Sequence, residues 1–186
     1  PVRLTGTPLS ARDIAAIARR NARVEISPEV DALVRASRAV IERHAAENRP
    51  VYGLTTALGA AVDTPLSDAD LVAYQRRVSL GHSVGFGPAL PQEAVRAMMA
   101  VRIAGMAAGG TGISPAVFEG LVTALNAGVH PVVPSLGSLG AADLAPLAHL
   151  TLGLLGQGEA DYGGETIPAA EALRRAGLKP LDIRAK

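Results

Sequence analysis

The sequence predicts an all-α fold, a helical bundle, on three observations. Apolar residues recur at helical spacing along most of the chain. Helix-start signals, a serine followed by proline or by an acid three residues on, open several of those stretches. Glycine and proline gather in clusters between the helical stretches. The composition agrees: Ala, Leu, Val and Gly dominate and only 3% of residues are aromatic, so closely packed helices with aliphatic contacts are expected. At 186 residues one sizeable domain is expected, with no repeat, low-complexity tract or internal boundary.

Taken in order, Ser10 and Asp13 form a capping-box pattern that opens a short helix through Ile14, Ile17 and Ala18. Ser27-Pro28-Glu29 places an N-cap, a first-turn proline and an acid at the positive end of the next helix. Val30, Leu33, Val34, Val40 and Ile41 follow at helical spacing, and Asn48-Arg49-Pro50 ends that helix. Residues 51–66 read as a loop, and Ser67-Asp68 caps a helix to about Leu80. Gly81 to Pro91 reads as a connection, followed by a helix from Gln92 to Ala108. Ser114-Pro115 opens another, which Asn126-Ala127-Gly128 stops. Pro131 and Pro134 impose an extended segment. Asp143 opens a helix carrying Leu147, Leu150, Leu154 and Leu155. A turn or small hairpin at Gly163-Gly164 and a last helix from Ala169 to Ala176 complete the reading.

Charge excludes some functions. Lys and Arg number 18 against 17 Asp and Glu, and the basic residues, all Arg except Lys179 and Lys186, are scattered. No phosphate-tracking surface results, so nucleic acid is not an expected partner. The absence of cysteine removes disulfides, thiolate metal sites and thiol nucleophiles, and fits a cytoplasmic setting. No apolar run is long enough to span a bilayer, and the N-terminus lacks a signal-peptide pattern. The four histidines are far apart in sequence and lack metal-ligand spacing, so no metal is expected. His44, on a charged helix face, is expected to be solvated.

Four stretches stand out. Gly137-Ser138-Leu139-Gly140-Ala141-Ala142-Asp143-Leu144-Ala145-Pro146-Leu147-Ala148-His149 joins a glycine-rich turn to a helix start. Val51-Tyr52-Gly53-Leu54-Thr55-Thr56-Ala57-Leu58-Gly59 sets a tyrosine in a glycine-bearing loop, where functional residues concentrate. Gly81-His82-Ser83-Val84-Gly85-Phe86-Gly87 places a histidine before closely spaced glycines. Leu125 to Pro134 reads as a helix stop that leads the chain toward the first stretch, with His130 as a capping or packing group.

Together they resemble the aromatic amino-acid ammonia-lyase family: the histidine, phenylalanine and tyrosine ammonia-lyases and related aminomutases, most nearly its histidine ammonia-lyase-like members. The resemblance covers about the first third of the family's length. It implies that residues 1–186 are the N-terminal portion of a longer protein whose C-terminal part is absent; Pro180 to Lys186 has no terminal character. It also implies a helical bundle of the ammonia-lyase (fumarase/aspartase-like) type with an irregular N-terminal active-site region, assembled as a homotetramer with sites built from several chains.

The implied reaction is elimination of ammonia or an amine from a histidine-like or aromatic amino acid, leaving an α,β-unsaturated acid. Tyr52 matches the family's lid tyrosine, the base for the weakly acidic β-proton; a phenolate in a water-excluded site can take it. Gly81 and His82 match the selectivity pair, and a histidine at the second place can hydrogen-bond an imidazole substrate. Gly140, Ala141, Ala142 and Asp143 match the electrophile's seat, where helix N-termini converge. His149 reads as a satisfied buried histidine.

The seat departs from the family at one point. Members read Ala-Ser-Gly-Asp-Leu and make 4-methylidene-imidazol-5-one from the tripeptide; this chain reads Ala141-Ala142-Asp143-Leu144. One residue is missing and no serine remains. Ala142 has no leaving group on Cβ to become the methylidene. Ser138 is followed by Leu139 where cyclisation requires glycine. Three explanations stay open: a ring hidden behind unmodified letters, which should leave one position rather than two alanines; an engineered removal; or natural absence. Natural absence suits a trimethylammonium betaine such as ergothioneine, whose nitrogen has no lone pair to attack a ring and departs readily as trimethylamine. A non-catalytic scaffold homologue is the remaining alternative.

Overall fold

The computed structural model describes residues 1–47, 51–52, 55–56, 68–138, 140 and 144–183. Strand β1 (Val2–Leu4) pairs in parallel with β2 (Val24–Ile26), Val2 opposite Val24 and Leu4 opposite Ile26. Between them lies α1 (Ala11–Arg20). Its capping box forms: the Ser10 hydroxyl accepts from the Asp13 amide at 3.2 Å, and the Asp13 carboxylate accepts from the Ser10 amide at 3.1 Å. The Ser10 hydroxyl, which donates to the Asp13 carboxylate at 2.6 Å, and then the Ser10 amide hold that carboxyl below its ordinary pKa. Helix α2 (Pro28–Ala46) opens on Ser27, whose buried hydroxyl accepts from the Val30 amide; a cap of this kind contributes about 1 kcal/mol. The expected stop at Asn48-Arg49-Pro50 lies outside the described residues.

Helix α3 (Asp68–His82) runs two residues beyond its expected end. Gly81 and His82 are therefore its last residues and not part of a connection. The reason is local chemistry at the C-terminus, where carbonyls lack helical donors. His82 Nδ1 donates to the Val78 carbonyl at 2.7 Å, Ser83 Oγ to that of Ser79 at 2.7 Å, and the Ser83 amide to that of Leu80 at 3.1 Å. The rest of the expected connection holds strand β3 (Phe86–Ala89).

Helix α4 (Gln92–Ala107) is the centre of the molecule, with α1, α2 and α5 (Pro115–Ala127) packed on it. Met99, Ala100 and Ile103 of α4 are fully buried among Ile17, Val30, Phe118 and Leu125; each large side chain buried this way contributes about 1.5–3 kcal/mol. Helix α5 starts at Ser114, which caps the Val117 amide, and stops at Gly128 with φ 79°, a left-handed conformation that glycine adopts at no steric cost. Strands β4 (His130–Pro131) and β5 (Pro134–Leu136) follow, then α6 (Leu144–Leu154). Strands β6 (Glu159–Tyr162) and β7 (Glu165–Pro168) form the expected hairpin, with Gly163 and Gly164 both at positive φ in its two-residue turn. Helix α7 (Ala169–Arg175) closes the described fold.

The architecture is predominantly helical, as the sequence predicts, but among the described residues three small sheets stitch it: β1–β2, β3–β5 and β4–β6–β7. Most of their strands are too short for an alternating pattern to register, and prolines in β3, β4 and β5 argue against strands in the sequence. A second departure concerns His44. It is half-buried, and its Nδ1 is shielded from solvent with no hydrogen-bond partner among the described residues. Helix α2 packs against α4 and α5, so a face that reads as charged is partly covered.

A buried long-range polar feature is Arg96 on α4, only 4% exposed. Its Nε donates to the Ile17 carbonyl at 2.9 Å, and its Nη1 to the Leu125 carbonyl at 3.2 Å and to His130 Nε2 at 2.8 Å. Ile17 and Leu125 lie in the last turns of α1 and α5. One guanidinium thus caps the negative ends of two helices. His130 accepts from a permanent donor, so its ring is neutral with the proton on Nδ1. Burial, reinforced by the Arg96 charge, lowers its pKa to about 4. This is the packing role expected for His130.

Candidate functional site

The described site forms where the end of α3 meets the start of α6. The two helices pack together, and β3 pairs with β5, Phe86 opposite Leu136 and Ala89 opposite Pro134. This pairing lays the segment after His82 beside the segment that leads to Gly140. Gly85 and Gly137 meet backbone to backbone: a Cβ on Gly137 would lie 3.0 Å from the Gly85 Cα. The Gly85 amide donates to His149 Nε2 at 3.0 Å. Burial lowers the His149 pKa, and the bond requires the neutral ring.

Gly81 is exposed and His82 half-buried. A carbonyl can only accept, so the contact with Val78 puts the His82 proton on Nδ1 in the neutral ring. Nε2 has no hydrogen-bond partner among the described residues and is left for a ligand. His82 lines a cavity of about 370 Å³, together with Val78, Met106, Leu121, Leu150 and Arg102. The sequence marks Arg102 only by setting a cation inside the apolar run from Met98 to Met106.

Gly140 is exposed, with φ 75°, and its amide donates to Ser138 Oγ at 3.2 Å. Ala141, Ala142 and Asp143 lie outside the described residues. Tyr52 stands on a separate element, a turn in which the Val51 carbonyl accepts from the Thr55 amide at 3.1 Å and the Val51 amide donates to Thr55 Oγ1 at 2.9 Å. Tyr52 is 57% exposed. Gly53, Leu54 and Ala57 to Gly59 of the same motif lie outside the described residues. The structure therefore joins Gly81, His82 and the approach to Gly140 in one neighbourhood, with Tyr52 on another element. Among the described residues no three His, Asp or Glu side chains are placed to hold a metal ion, and no helix is long and apolar enough to cross a membrane.

Solved structures of larger enzymes contain this fold. The ergothioneine-degrading enzyme ergothionase from Treponema denticola superposes with a TM-score of 0.95 at 33% identity, over 99% of this chain and 37% of that one. A phenylalanine aminomutase from Pantoea agglomerans superposes with a TM-score of 0.95 at 32% identity, over 100% and 36%. The chain belongs to the aromatic amino acid lyase family, whose profile matches residues 9–186. A histidine ammonia-lyase from Symbiobacterium thermophilum is 45% identical over 182 residues, 97% of this chain and 36% of that protein. The chain thus spans little more than a third of the length of these relatives.

The family uses 4-methylidene-imidazol-5-one, formed from its own chain. The residues here do not fit that group. Between Gly140 and Leu144 the side chains offer two methyls and a carboxylate, and ring formation needs a β-hydroxyl to lose as water. The nearby hydroxyl, on Ser138, accepts from the Gly140 amide and precedes Leu139.

Proposed function

We propose that the protein is a carbon–nitrogen lyase that eliminates ammonia or an amine from a histidine-like or aromatic amino acid to give an α,β-unsaturated acid. The observation that carries the reading is His82: in a member of this family, it ends α3 on an apolar cavity with Nε2 available to an imidazole N–H. Tyr52 takes the Cβ proton. The C–H pair becomes the Cα=Cβ bond, and the C–N pair leaves with the amine. Gly81 and His82 contact the substrate ring, and Gly140, Ala141, Ala142 and Asp143 serve as the seat for the reacting carbons. The working unit is a cytoplasmic homotetramer that takes a small-molecule substrate, with neither nucleic acid nor membrane as a partner.

A second reading follows from Ala142. Without a ring, a primary ammonium is a poor leaving group, whereas a quaternary nitrogen departs as neutral trimethylamine. A trimethylammonium betaine such as ergothioneine therefore suits this chain, and the likeness to an ergothioneine-degrading enzyme supports it. The test is to incubate the full-length protein with histidine, phenylalanine, tyrosine and ergothioneine while following the absorbance of the unsaturated product and the amine released. Trimethylamine from ergothioneine selects the second reading; ammonia from an amino acid selects the first; no turnover favours a non-catalytic scaffold. Intact mass is expected to equal that of the unmodified chain. Loss of two waters would restore the family's ring.

A further inference from the structure

The turn after His82 is held from outside its own helix. The segment from His82 to Gly85 is only three peptide steps long, and its start is fixed by the bonds from His82 to Val78 and from Ser83 to Ser79. Its end is fixed by His149. An added Cβ on Gly85 would lie 3.0 Å from His149 Nε2 and 3.2 Å from the Leu136 carbonyl, so there is no slack at this point. Gly137 also meets the same glycine: a Cβ on Gly137 would lie 3.0 Å from the Gly85 Cα. In chain order, Leu136 and Gly137 precede residues 140–143 and His149 follows them. Gly85 therefore touches the described chain both before and after those residues.

We propose that His149 is a positioning residue for the reaction. Through the Gly85 amide it holds the 83–85 segment, and so sets where His82 presents Nε2. The proposal rests on the reading of His82 as the substrate-ring contact. An amide N–H only donates, so the function needs an acceptor at position 149 rather than a charge or mere bulk.

Two substitutions in the full-length protein separate these requirements. His149→Gln offers an amide oxygen to Gly85, whereas His149→Leu keeps bulk without an acceptor. Hydrogen–deuterium exchange of a peptide covering 83–88 is expected to rise about tenfold in His149→Leu, the factor one lost hydrogen bond supports, and to stay near wild type in His149→Gln. On whichever substrate the panel above shows to be turned over, KM is expected to rise about tenfold in His149→Leu with a smaller fall in kcat, and His149→Gln is expected to restore it. Wild-type exchange in His149→Leu, equal losses in both variants, or raised exchange with unchanged KM would each overturn the proposal. If wild type turns over no substrate, the lyase reading fails, and the exchange comparison still decides whether His149 holds the turn. Should His149→Leu not fold, His149→Asn takes its place, because its shorter amide stops short of Gly85.

Discussion

Tyr52→Phe in the full-length protein is expected to lower kcat by about 10²- to 10⁴-fold, the usual contribution of a positioned acid or base. The change removes one oxygen and keeps the ring. Tyr52 is 57% exposed, so the fold is expected to lose less than about 0.5 kcal/mol, as for other surface changes. KM is expected to change little, since the phenol acts on the β-proton rather than on the substrate ring. Steady-state kinetics with a melting curve check both halves. Retention of wild-type turnover by Tyr52→Phe would remove the phenol from the chemistry.

Arg96→Met is expected to be the most damaging single change to stability. Methionine approximates the buried stem but carries no donors. The Ile17 and Leu125 carbonyls and His130 Nε2 each lose a bond to a buried cation, at about 1–3 kcal/mol for each acceptor left unpaired. The loss is expected to exceed about 3 kcal/mol, read as a drop in the urea midpoint.

His130 gives the same measurement a pH signature. Its folded pKa of about 4 lies below the ordinary value near 6.5, so the native state holds the neutral ring. The unfolded chain binds its proton first as pH falls. The His130 contribution is therefore complete above the unfolded pKa and declines between about pH 6.5 and pH 4. In Arg96→Met the repulsion from the guanidinium is gone, so this acid-side decline should be shallower than in wild type. An unchanged slope would show that the Arg96 charge does not act on His130.

Much of the scaffold was legible in the sequence because helix ends are written in nearest-neighbour chemistry. Ser10 with Asp13, Ser27 with Pro28, Ser114 with Pro115, and Gly128 all act within three or four residues, and each marks the boundary it announces. The Gly163-Gly164 hairpin is legible for the same reason. The end of α3 was misplaced because its stop depends on where the side chains of His82 and Ser83 bond, which no residue type declares. The partial burial of His44 escaped because a helix face is covered or bare only by its neighbours.

The missing serine needed nothing but the sequence: a β-hydroxyl is either encoded between Gly140 and Leu144 or it is not, and covalent chemistry is a matter of composition. The junction at Gly85 is of the other kind. The bond from Gly85 to His149 spans 64 residues, and that from Arg96 to Ile17 spans 79. Hydrogen bonds care only about separation in space, and periodicity reports separation along the chain. Which glycine meets which histidine was therefore decided by the packing of α3 on α6 and the pairing of β3 with β5.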